Sequence, residues 1–67
     1  MDAKEVGQLI AKLRSEKSMT QKDLGDYLNV SDKAVSRWER GDGYPEIEQF
    51  PKLAELFRIT IIEWQKK

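Results

Sequence analysis

Within "SDKAVSRWER", residues 31–40, the side chains equipped for chemistry are Asp32, Lys33, Ser36, Arg37 and Arg40. On a helix turning about 100° per residue they fill an arc of roughly 140°, with Ala34, Val35 and Trp38 on the other side. Such an arc offers N–H donors from Lys and Arg, an acceptor from Asp, and a hydroxyl that serves as either. That is equipment for recognising a patterned polar surface, not for transforming a substrate. The chain has no His and no Cys, which removes the commonest general base, the commonest nucleophile and thiolate metal ligands. Glu46, Glu48, Glu55 and Glu63 follow no hard-metal loop pattern. No Gly-rich phosphate cradle precedes a helix. The residues argue against an enzyme, and no cofactor, metal or small-molecule ligand is expected. A charged helix face is also what any solvated helix presents, so the elements that position it decide between the two readings.

Sixty-seven residues form one domain with a single core, and a chain this short buries only about 60% of its unfolded surface. No strictly apolar run exceeds three residues, far too short for a membrane span. The expected setting is cytoplasmic. Twelve basic and twelve acidic side chains cancel, so any basic face must come from arrangement rather than from excess.

Val6, Leu9, Ile10 and Leu13 carry the spacing of a helix with one buried face, capped by Asp2 with Glu5, which predicts a first helix from about Ala3 to Lys17. Thr20 with Asp23 opens a second helix, Met19 is placed to staple onto Leu24, and Asn29 closes it as a residue tolerant of left-handed backbone. Ser31 caps a third helix that runs to about Arg40 and ends at Gly41. "GDGYPE" is a turn. Pro51 suits the first turn of a fourth helix bearing Leu53, Ala54, Leu56 and Phe57, and Thr60 with Glu63 predicts a short fifth. The expected fold is all-α: a compact bundle of five helices. The connection between helices two and three is so short that it imposes a sharp angle, as in a helix-turn-helix, and Gly25 removes bulk where they meet. In that geometry helix three projects from the body and can enter the major groove of DNA.

The stretch "TQKDLGDYLNVSDKAVSRWERG", residues 20–41, resembles the helix-turn-helix of the lambda-repressor and Cro-like (Xre-type) transcriptional regulators. The likeness runs from Val6 to about Trp64 and includes Arg14 on helix one, the Thr20–Gln21 start, the small Gly25 and the "SRWERG" close. It implies sequence-specific binding to double-stranded DNA, most often for repression by occlusion. By the same resemblance Asp32, Lys33, Ser36 and Arg37 address bases, while Thr20, Gln21, Ser31 and Arg40 hold phosphates. Arg14 and Glu39 form a structural ion pair. A domain this small covers one half-site, so two copies are expected to pair on DNA, through the loop after helix three and the last helix near Ile62 and Trp64. Family members usually have glycine where this chain has Asn29 and Arg58, and leucine where it has Trp64.

Other readings stand beside these. Asp32 in a first helical turn also favours the helix dipole without any DNA. Trp38 lies on the apolar stripe and is expected in the core. Tyr44 either reaches a phosphate or shields the core. A different class of function is a protein-interaction module, such as an antitoxin or antirepressor, which the neutral net charge and apolar carboxyl end favour.

Overall fold

The structure is a computed structural model that describes residues 1–58. Among these residues there are four α-helices and no strand: α1 (Ala3–Glu16), α2 (Gln21–Leu28), α3 (Asp32–Glu39) and α4 (Phe50–Phe57). The fold is all-α as expected, with four described helices in place of the five predicted; the fifth, expected from Thr60, falls outside the described residues. A 3-10 turn at Ile47–Gln49 leads directly into α4, which the sequence patterns did not indicate.

The helix starts follow side-chain chemistry. Asp2 and Glu5 exchange hydrogen bonds with each other's backbone N–H, and Thr20 and Asp23 do the same, satisfying donors that a helix end leaves bare. Ser31 Oγ accepts from the Ala34 N–H at 3.1 Å. The helix ends are set by left-handed residues: Asn29 (φ 62°) after α2, and Arg58 (φ 60°) after α4. Gly41 (φ 80°) turns the chain away just beyond α3. Helix α1 stops at Glu16 rather than Lys17, and Ser18 adopts φ 56° just beyond it.

Val6 and Ile10 from α1, Leu24 and Leu28 from α2, Val35 and Trp38 from α3, and Leu53 and Phe57 from α4 form the core, each at most 7% exposed. Burying a side chain of this size contributes about 1.5–3 kcal/mol, so these contacts are the main stabilising term. Helix α3 packs against both α1 and α2, and two glycines make this possible. A Cβ on Gly7 would lie 2.0 Å from the Trp38 carbonyl oxygen, and one on Gly25 would lie 2.7 Å from the Val30 carbonyl oxygen. Both obstacles are backbone atoms: the missing side chain at Gly7 lets α3 approach α1, and the one at Gly25 lets the Val30–Ser31 connection fold back against α2. The result is that α3 has one side sealed against two helices and the other facing out.

Candidate nucleic-acid interface

Three residues separate the end of α2 from the start of α3, whose Val35 and Trp38 are sealed into the core. The outer side therefore presents Asp32, Lys33 and Arg37, all exposed, with Ser36 half-buried between them. Arg40, the C-terminal cap of α3, is also exposed. All four residues expected to address bases thus lie on one helix. Trp38 is buried at 3% exposure, as expected, and has no free face for stacking.

The residues expected to contact phosphates are already engaged within the protein. Thr20 Oγ1 accepts from the Asp23 N–H at 2.9 Å, and Ser31 Oγ accepts from Ala34. The Ser31 hydroxyl accepts in its cap and keeps its own proton to donate, whereas the Thr20 hydroxyl also bonds the Asp23 carboxylate. Gln21, half-buried, donates from Nε2 to Glu39 Oε1 at 2.9 Å, which leaves one amide hydrogen for another acceptor. Arg40 donates from Nη1 to Ser36 Oγ at 2.8 Å and from Nε to Asp42 Oδ2 at 3.1 Å. Tyr44 is 52% exposed, and its hydroxyl lies 3.4 Å from the Met1 carbonyl oxygen, at the amino end of the chain.

Arg14 and Glu39 form the expected ion pair, and they do more than pair. Arg14 donates from Nε to Glu39 Oε2 at 2.6 Å, from Nη2 to Glu39 Oε1 at 3.1 Å, and from Nη1 to the Met19 carbonyl at 2.7 Å. The Glu39 side chain is 9% exposed and that of Arg14 20%. One carboxylate therefore ties together α1 through Arg14, the start of α2 through Gln21, and the end of α3 on which it sits. The hydrogen bond to Glu39 raises the Arg14 pKa above its ordinary value against the opposing effect of burial, so the guanidinium stays charged wherever the domain is folded.

Sequence reasoning found the Arg14–Glu39 pair and missed three partners. Gln21 carried no signal of its bond to Glu39, because the two are 18 residues apart. Gly7 does carry a signal: a glycine inside a helical pattern, beside Val6 on the apolar side, marks a close backbone approach. Asp42 sits in a turn whose composition explains an acid there without any partner. The expected contact residues Ile62 and Trp64 lie outside the described residues. No group of acidic, His or Cys side chains suited to a metal occurs among the described residues, and no helix there is long and apolar enough to cross a membrane.

Two short helices locked at a three-residue connection, the second braced by a first helix and exposing one polar side, define a helix-turn-helix domain. Comparison with known proteins makes this specific: a helix-turn-helix family model matches residues 10–64, and the chain belongs to the lambda-repressor/Cro-like (Xre-type) helix-turn-helix family of DNA-binding transcription regulators. It is 39% identical over 59 residues to the HTH-type transcriptional activator BcrR of Enterococcus faecalis, an alignment covering 88% of this chain and 29% of that protein. It is 30% identical over 56 residues to multiprotein-bridging factor 1 of Candida glabrata, covering 84% of this chain and 37% of that protein. The chain spans about a third of the length of these curated relatives.

Proposed function

We propose that this domain binds double-stranded DNA sequence-specifically, with α3 in the major groove. The observation that carries the reading is the division of α3 into a sealed side, Val35 and Trp38, and an exposed side bearing Asp32, Lys33 and Arg37. Eight helical residues extend about 12 Å, close to the width of the groove. Lys33 and Arg37 donate to guanine O6 and N7, Asp32 accepts from cytosine N4, and Ser36 addresses a further base edge. Thr20, Gln21, Ser31 and Arg40 flank this set and hold phosphates, which fix register without reading sequence.

The neutral charge makes one protomer a weak binder. If each neutralises about three phosphates, the logarithmic salt slope goes from roughly −3 to roughly −5 on pairing. Two-fold pairing on DNA, with half-sites about one helical turn apart, follows from this. Ile47, 83% exposed in the segment after α3, supports a contact surface there. Repression by occlusion is the simplest output, in the cytoplasm on the nucleoid, whereas one relative is named a transcriptional activator. The same exposed Ile47, with the balanced charge, favours a second reading as a protein-interaction module.

Titrating labelled random duplex at low salt separates the two. Binding that is lost in Arg37→Ala and Arg40→Ala supports the DNA reading. Binding unchanged by both variants, or absent from the parent domain, contradicts it.

A further inference from the structure

The turn after α3 contains a contact that the DNA-binding roles above leave unused. Gly41 reverses the chain through φ 80°, and the Asp42 N–H donates to the Arg37 carbonyl at 3.0 Å. Asp42 is thereby pinned to the last turn of α3, and its carboxylate accepts from Arg40 Nε. Arg40 in turn donates to Ser36 Oγ, one helical turn back. The polarity of this chain is fixed, because a guanidinium has donors and no acceptor. Ser36 must accept in that contact, and its own proton points away from the cation.

A Ser hydroxyl held in that way keeps its proton and one lone pair, and the adjacent cation disfavours a second donor, so it serves chiefly as a donor to what faces it. In the major groove the matching groups are acceptors: guanine O6 and N7, adenine N7, thymine O4. An amino group on the base would instead meet an oxygen already engaged by a cation. Arg40 keeps three of its five N–H donors for a phosphate, but with its charge offset by Asp42.

We propose that Asp42 is a specificity-determining positioning residue: through Arg40 it fixes Ser36 as a donor to a base acceptor, and it restrains the domain's affinity for DNA of any sequence. The proposal rests on the reading of α3 as the DNA-contacting helix.

The test selects bound duplexes from a random pool with the parent domain, Asp42→Asn, Asp42→Ala and Ser36→Ala, alongside salt titrations on random duplex. Asp42 and Arg40 are well exposed, 58% and 60%, so these variants fold, and a thermal melt verifies it. Both Asp42 variants are expected to bind random duplex about three- to fivefold more tightly at low salt, with a slope steeper by up to about 0.9. Both also lose about three- to tenfold preference at one base pair, the same one that Ser36→Ala loses, as expected for one net hydrogen bond. A residue that merely shapes the turn would weaken binding uniformly, and that result overturns the proposal. So does an Asp42→Asn motif identical to the parent's, as it would be if the Ser36 proton stayed on the Asp32 carbonyl. A parent domain that enriches no motif removes the DNA reading itself, which distinguishes the two failures.

Discussion

Glu39→Ala is the perturbation whose size the structure sets most closely. The carboxylate accepts from Arg14 Nε at 2.6 Å, Arg14 Nη2 at 3.1 Å and Gln21 Nε2 at 2.9 Å, and its side chain is 9% exposed. Removing it leaves the Arg14 guanidinium partly buried, with the Met19 carbonyl as its remaining acceptor in this network. Breaking one side of a buried pair costs about 3–5 kcal/mol. Because the Arg14 side chain is one-fifth exposed, water recovers part of that, and about 3 kcal/mol is expected. A domain of this length has a total stability of about 3–10 kcal/mol, so this single change removes a third of it or more. In urea, with a slope of about 1 kcal/mol per molar, the midpoint falls by about 3 M; a variant already unfolded in buffer is the same result. Arg14→Ala/Glu39→Ala should cost less than the sum of its single changes, because neither then leaves an orphaned charge. The control is Lys22→Ala: its pair with Asp26 is 73% and 68% exposed, and its loss should cost under about 0.5 kcal/mol. A Glu39→Ala loss below about 1 kcal/mol, or one equal to the Lys22 control, would refute the view that this network clamps α3 to α1 and α2.

Gly7→Ala adds about 1 kcal/mol of helix propensity but drives a methyl into the Trp38 carbonyl, which being backbone cannot swing aside; a net destabilisation of about 2 kcal/mol or more is expected by thermal melting. Arg58→Gly relieves a left-handed residue at the end of α4 and should stabilise by about 0.5–1 kcal/mol in the same assay. Asp23 has its pKa lowered, first by the Thr20 backbone N–H and then by the Thr20 side chain. Its folded value lies below its unfolded one, so its contribution is complete above about pH 4 and disappears as pH falls through the folded value. Asp23→Asn should therefore flatten the acid side of the stability–pH curve and leave the neutral side parallel to the parent's.

The helix starts were legible because each is written in adjacent residues: Asp2 with Glu5, Thr20 with Asp23, Ser31 before Ala34. The core positions were equally legible, since the helical spacing of Val6 and Ile10, or of Leu24 and Leu28, repeats over short distances. Two helix ends resisted. Ser18 takes a left-handed conformation with no glycine or asparagine to announce it, and the 3-10 turn before Pro51 has no pattern of its own. The glycine-to-arginine change at position 58 did point to strain, and φ 60° is where it lies. In the candidate interface, the outward side of α3 followed from periodicity alone. The links that orient it did not. Gln21 to Glu39 depends on side-chain directions that meet only after the helices pack, and Arg40 to Asp42 on the path of the turn at Gly41; no residue type forecasts either.

Selection of duplexes from a random pool tests the central claim most directly, since binding, base preference and half-site spacing are read together. The parent domain should enrich a motif with two halves centred about one helical turn apart. Arg37→Ala should lose preference at one position in each half, worth about 1–3 kcal/mol, and keep the rest. A pool that stays random after repeated rounds, or an Arg37→Ala motif unchanged at every position, would contradict the assignment of α3 as the helix that reads DNA.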